Sequence, residues 1–189
     1  MNGLSLIFKK KYIPVAFSHC SSCGSKYISI KWPNLCGCCD TTVFRNPIPV
    51  AVGIIPIINN DNKTGLLLVQ RAIQPCVGEY ALPGGFVDWG ESWQQAVSRE
   101  VFEETSLQTD PEEFILANTY SIPNKTRILI FGYSKKIRHI DELNTFKPSS
   151  ETFALKLGFF NDKLCFSLHQ EVYDQWFIKN EYSNKNIFE

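Results

Sequence analysis

The chain has 189 residues, 44% hydrophobic and 20% charged, a composition that excludes a disordered chain and suits one ordinary domain with room for a small extra module. Nineteen Lys and Arg balance nineteen Asp and Glu, so no charge excess points to a nucleic-acid or membrane-surface partner. No apolar run reaches the roughly 18 residues a membrane helix needs.

The N-terminal segment carries a short apolar run, Leu4 to Phe8, followed by Lys9, Lys10 and Lys11. The charges follow the apolar run instead of preceding it, and no small-residue cleavage site stands out. This predicts a cytoplasmic protein with a solvated N-terminal segment. Five of the seven cysteines then fall within twenty positions: Cys20, Cys23, Cys36, Cys38 and Cys39. Arg45-Asn46-Pro47 marks a boundary, because proline cannot donate a backbone hydrogen bond and restricts the residue before it. The chain is expected to divide into a small module over 1–46 and a larger domain over 47–189.

Ile48 to Ile58 is rich in Val and Ile and reads as one buried strand. The cluster Asn59-Asn60-Asp61-Asn62-Lys63-Thr64-Gly65 turns the chain, and Leu66 to Val69 returns as the second arm of a hairpin. A helix is predicted over Ser92 to Thr105, where Ser92 and Gln95 form a capping box ahead of Ala96 and Val97. Further strands are predicted over Phe114 to Ile122, Arg127 to Tyr133 and Thr152 to Phe160. A second helix starts near His169 and runs past Trp176.

Two features carry chemistry. The spacing Cys20-x-x-Cys23, twelve residues, Cys36-x-x-Cys39 suits tetrahedral Zn²⁺, and a cytosolic setting argues against disulfides as the alternative. Cys38 is the spare thiol and could replace Cys39, whereas His19 is read as a bystander and Gly24 as an aid to the first turn. With Lys26 and Lys31 its few basic residues, the module is expected to serve stability or dimer contact and not nucleic-acid binding.

The second feature is the acidic helix. At 100° per residue, Trp93, Ala96, Val97 and Val101 share the core side; Glu100 and Glu104 fall on that side too, and Glu103 borders it. Buried ionised carboxylates need partners, and these are like-charge neighbours at i,i+3 and i,i+4. A hard divalent cation, Mg²⁺ or Mn²⁺, offsets both penalties and suits a phosphate substrate. The bland alternative is a solvated acidic face paired with Arg99. Gly84 and Gly85, after Leu82-Pro83, weaken it, since paired glycines let backbone approach a ligand closely, though they also suit a tight turn.

Residues 85–107, GFVDWGESWQQAVSREVFEETSL, resemble the Nudix box, with Gly85, Glu91, Arg99, Glu100, Val101, Glu103, Glu104 and Leu107 at the matching positions. Ser106 departs from it, standing where the family has a helix-ending glycine, at a cost of about 1 kcal/mol. The resemblance implies an α/β fold, an αβα sandwich with a mixed sheet, preceded here by a small zinc ribbon. It implies that Glu100, Glu103 and Glu104 bind Mg²⁺ or Mn²⁺ and that Glu91 orients Arg99. The implied reaction is hydrolysis of the pyrophosphate bond of a nucleoside diphosphate derivative, releasing AMP.

A zinc ribbon before such a domain resembles two groups, NADH pyrophosphatases and a group associated with ADP-ribose and FAD. Arg45-Asn46-Pro47 and Gln70-Arg71-Ala72-Ile73-Gln74-Pro75 resemble the second. Tyr120-Ser121-Ile122-Pro123-Asn124 lacks the NADH group's segment. Glu151 is favoured as the base that activates water, over Glu142 and His139, and each also suits the surface. Phe86, Trp89 and Tyr120 could stack on a base, with core packing the expected role. Cys76 and Cys165 read as small apolar residues. A homodimer is a further expectation, since Phe102 projects away from the core side. The competing readings are a nucleotide-sensing module that uses the ribbon for partner contact, and a nucleic-acid enzyme, which the balanced charge disfavours.

Overall fold

The computed structural model describes residues 17–185; the Lys9–Lys11 run and the Leu4–Phe8 segment lie outside them. The chain divides into two compact units between Asn46 and Pro47. In the first, β1 (Asn34–Leu35) pairs antiparallel with β2 (Thr42–Val43). Its small core holds Cys20, Cys36 and Tyr27, with Trp32 and Val43 packed against them.

The second unit runs β3 (Ile48–Ile54), β4 (Pro56–Ile58), β5 (Thr64–Arg71), β6 (Tyr80–Ala81), β7 (Gly84–Phe86), α1 (Trp93–Thr105), β8 (Phe114–Ser121), β9 (Arg127–Ser134), β10 (Arg138–His139), β11 (Thr152–Gly158) and α2 (Ser167–Lys185). One sheet has the order β7-β3-β9-β8, and the other β10-β4-β5-β11 with β6 also on β5. Both are mixed, through the parallel pairs β3–β9 and β4–β10. The single strand expected over Ile48 to Ile58 is therefore two. The chain leaves one sheet at Ile54 and joins the other at Pro56. Ile54 pairs with Tyr133 of β9 and Pro56 with Leu66 of β5, so the two halves of the run belong to different sheets. The expected hairpin forms between β4 and β5, closed by Asn59, whose Oδ1 accepts from the amides of Asp61 and Lys63.

Two hydrophobic layers lie on opposite faces of the strands. Val52, Ile54, Leu66, Leu68, Leu129 and Phe131 pack with Val172, Tyr173 and Phe177 of α2. Ala51, Ile55, Ile57 and Leu67 pack with Ala96, Val97 and Val101 of α1. Strand side chains alternate faces, so Ala51 meets one helix and Val52 the other. This is an αβα sandwich. Among the described residues no helix is long and apolar enough to cross a membrane.

Helix α1 starts as predicted. The Ser92 hydroxyl accepts from the Gln95 amide and the Gln95 side chain accepts from the Ser92 amide, 3.2 and 2.7 Å. It ends at Ser106 with φ 62°, the left-handed conformation for which a glycine is preferred. Helix α2 begins at Ser167, two residues before the predicted start.

Candidate functional site

Gly84 and Gly85 form a strand against β3 instead of the tight turn the sequence also suited. A Cβ on Gly84 would strike the Ala51 carbonyl and lie 2.7 Å from Val52 Cα, and its φ of 152° is unfavourable for an L side chain. A Cβ on Gly85 would strike the Glu100 carboxylate. The two glycines thus let β7 slide under α1 and put the Glu100 carboxylate directly on the backbone.

The helix periodicity placed the carboxylates correctly. Glu104 is buried, 7% exposed, and its Oε2 accepts from the Gly84 amide at 2.9 Å. Burial pushes its pKa up to about 8; the Gly84 amide counteracts this, the Glu100 charge adds to it, Arg71 lowers it and Glu151 raises it. Burial also raises Glu100 above the usual carboxylate range, against the hydrogen bond and charge of Arg99 and with help from Glu103 and Glu151. Glu103 is more open, with 55% of its side chain exposed.

Arg99 is held from several sides. Its Nε and Nη2 contact both oxygens of Glu91 at 3.2 and 2.7 Å. Its Nη1 reaches Glu100 and Glu103 at 2.8 and 3.2 Å, and Nη2 also donates to the Phe86 carbonyl at 2.9 Å. The two-pronged contact with Glu91 fixes the guanidinium plane and holds Glu91 below the usual carboxylate range.

Glu151, immediately before β11, is brought within electrostatic reach of both Glu100 and Glu104. Its carbonyl accepts from the Ala72 amide at 2.8 Å and its amide donates to Ser149 Oγ at 3.2 Å, so its backbone is fixed. Glu142 and His139 belong elsewhere. Glu142 pairs with the buried Arg138 at 3.1 Å, and His139 lies beside Asp141. Arg71, at the end of β5, is a site residue that sequence analysis quoted but did not assign. The weak signal was a cation closing an otherwise apolar strand. Tyr120 packs on the core as expected, edge-on to Phe131 at 6.0 Å, and donates to Glu171. Core packing is wrong for Trp89, which is wholly exposed, and for Phe86, 48% exposed with Arg127 5.7 Å over its ring: both lie at or beyond the end of β7, outside the hydrophobic layers. Phe102 is half-exposed, as its helix position predicted.

In the first unit the Sγ atoms of Cys20, Cys23, Cys36 and Cys39 all lie within 4.8 Å of one another. The pairs Cys20–Cys39 and Cys23–Cys36 are 3.8 and 3.6 Å apart. Tetrahedral zinc with bonds near 2.3 Å needs an edge of about 3.8 Å. The two half-sites repeat each other. Gly24 and Asp40, just after the second cysteine of each pair, have φ of 74° and 54°. The Gly24 amide donates to the Cys20 carbonyl and the Asp40 amide to the Cys36 carbonyl, both at 2.9 Å. Cys23 meets Ser25 and Cys39 meets Thr41, each at 3.3 Å. This repeat selects Cys39 over Cys38, which is exposed and outside the cluster. Hydrogen bonding with Ser25 lowers Cys23 to about 6. Amide bonds from Cys38 and Cys39 pull Cys36 down, but burial and neighbouring thiols prevail and push it to about 11. A bound cation would let the clustered thiols ionise together.

The larger unit matches a known family. The family described as "NUDIX domain" matches residues 47–154, more than half of the chain, and the chain belongs to it. An ADP-ribose pyrophosphatase of Methanocaldococcus jannaschii is 42% identical over 86 residues, which cover 46% of this chain and 48% of that protein. The NAD-capped RNA hydrolase NudC of Mannheimia succiniciproducens is 28% identical over 112 residues, 58% of this chain and 42% of that protein. The chain thus spans less than half the length of these curated relatives. Among solved structures, a NUDIX hydrolase from Nitrosomonas europaea shares the fold at a TM-score of 0.63 and 21% identity, over 87% of this chain and 93% of the other.

Proposed function

We propose that the chain is a metal-dependent Nudix pyrophosphohydrolase that cleaves a nucleoside diphosphate derivative of the ADP-ribose, FAD or NAD(H) class and releases AMP. One observation carries this reading. Glu100 and Glu104 are both raised by burial, lie near Glu151, and sit where only one side of the acidic cluster is neutralised by Arg99. Such a donor set is costly alone and fits a hard divalent cation.

In this reading Glu100, Glu103 and Glu104 hold Mg²⁺ or Mn²⁺, and the bound ion supplies charge neutralisation of the diphosphate and a water of lowered pKa. Glu91 holds Arg99, and Arg99 in turn orients Glu100 and Glu103. The bare backbone of Gly84 and Gly85 admits the diphosphate close to the carboxylates. Glu151 accepts the proton of the attacking water, and Arg71 supplies positive charge beside Glu104. The module over 1–46 is a structural zinc ribbon held by Cys20, Cys23, Cys36 and Cys39, and 47–189 is the hydrolase domain. The named relatives act on ADP-ribose and on NAD-capped RNA, which share an adenosine diphosphate unit, and this supports the substrate class.

The test is incubation of the purified chain with Mg²⁺ or Mn²⁺ and ADP-ribose, NADH, NAD, FAD, diadenosine polyphosphates or NAD-capped RNA, with products resolved by chromatography. Metal-dependent AMP release that Glu103→Gln abolishes is expected. Glu151→Gln is expected to lower kcat by about a hundredfold or more. No turnover of any compound by zinc-loaded protein overturns the reading in favour of a nucleotide-sensing module.

A further inference from the structure

Arg71 is held by two segments, and each carries a cysteine beside the contact. Its Nε donates to the Pro75 carbonyl at 2.8 Å, and its guanidinium lies 5.1 Å over the Phe166 ring. Cys76 follows Pro75, and Cys165 precedes Phe166. The backbone ties the same two segments together. The loop between β5 and β6 closes through the Glu79 amide, which donates to the Cys76 carbonyl at 3.1 Å. The next residue, Tyr80, accepts from the Cys165 amide at 2.9 Å. The two side chains are within hydrogen-bonding reach of each other, and each is partly exposed. Two cysteines that read from sequence as separate small apolar residues are therefore a pair.

We propose that Cys76 and Cys165 are a redox pair, oxidised by a low-molecular-weight disulfide such as glutathione disulfide to an intramolecular bond that clamps the β5–β6 loop onto the segment before α2. The bond closes around Arg71, since the Pro75 carbonyl and the Phe166 ring both sit one residue from a bridged sulfur. It depends on neither the zinc ribbon nor the hydrolase reading.

The two thiols have different parts in the exchange. Burial pushes the Cys165 thiol up to about 12; the hydrogen bond with Cys76 and the Cys76 charge add to this, Arg71 opposes it, and Glu79 adds a little more. Cys165 is thus a poor first nucleophile, and the thiolate of Cys76 attacks one sulfur of the glutathione disulfide. That S–S bond breaks, one glutathione leaves with the proton Cys76 gave up, and Cys76 carries the other as a mixed disulfide. A capped Cys76 no longer raises its neighbour, while the Arg71 charge still favours the Cys165 thiolate. Cys165 then attacks the Cys76 sulfur, and the second glutathione leaves with the Cys165 proton. Two electrons pass from the pair to the glutathione disulfide, giving one protein disulfide and two glutathione thiols. The bond joins positions far apart in the chain, so it restricts the unfolded state strongly.

The test uses the whole zinc-loaded chain, equilibrated anaerobically in glutathione buffers from fully reduced to fully oxidised. Free thiols are trapped by alkylation, and the digested protein is read by mass spectrometry. The expected product is a Cys76 peptide joined to a Cys165 peptide, two hydrogens lighter than the separate thiols and released by dithiothreitol. Thermal unfolding of the same samples is expected to show Tm raised by about 5 °C or more on oxidation, with no such rise in Cys76→Ser or Cys165→Ser. Recovery of both thiols alkylated from the fully oxidised buffer overturns the pair. So does glutathione on each cysteine separately, or a bond from either to a ribbon cysteine. A Cys76–Cys165 bond that lowers Tm overturns the claim that the folded chain holds the two sulfurs ready to join.

Discussion

Replacing Glu104 by Gln isolates the electrostatic cost of the acidic site. Glu104 is buried, its Oε2 accepts from the Gly84 amide, and its pKa stands at about 8 against an ordinary 4.5. Gln keeps the shape and can keep accepting from Gly84, but it never ionises. The folded-state pKa lies above the unfolded one. The protonated carboxyl therefore contributes its full stability below about 4.5, and that contribution is lost as pH rises toward about 8. Between these limits each pH unit costs about 1.4 kcal/mol, so at pH 7 the cation-free wild type should be less stable than Glu104→Gln by at most about 3.5 kcal/mol. Urea unfolding of both proteins at pH 5, 7 and 9, in buffer free of added divalent cations, measures the difference directly. Added Mg²⁺ or Mn²⁺ should narrow it by stabilising wild type alone, with release of the Glu104 proton. A difference that does not vary with pH would refute the claim that burial holds Glu104 protonated.

Ser106→Gly should stabilise the larger unit by about 0.5–1 kcal/mol, because Ser106 sits at φ 62° where glycine carries no penalty; thermal unfolding reads this out. Gly84→Ala should destabilise it by about 2 kcal/mol or more, since the new Cβ meets backbone of β3 that cannot rotate away, as urea titration would show. Cys39→Ser should lower the zinc content of purified protein, measured by elemental analysis, whereas Cys38→Ser should leave it unchanged.

The sequence by itself determined the features set by local spacing. A period of 3.6 put Glu100 and Glu104 on the core side of α1 beside Val97 and Val101, and the structure keeps them there. Ser92 and Gln95 foretold the helix start because a capping box involves only neighbouring residues. The two Cys-x-x-Cys pairs were legible for the same reason. Tertiary structure alone decided what depends on distant segments meeting. Whether Cys38 or Cys39 completes the cluster depends on the equivalence of two turns that are separate in the chain. The break at Ile55 follows from the two halves of one apolar run joining different sheets. Trp89 is as apolar in sequence as Trp93, yet one is bare and the other packs from the first turn of α1 against Gly132 of β9, because burial depends on what lies opposite. Arg71, Glu104 and Glu151 come from β5, α1 and the residue before β11. No periodicity links them. Only the packing of both helices on the strands brings their charges into one field, where burial raises carboxylates that would be ordinary in an extended chain.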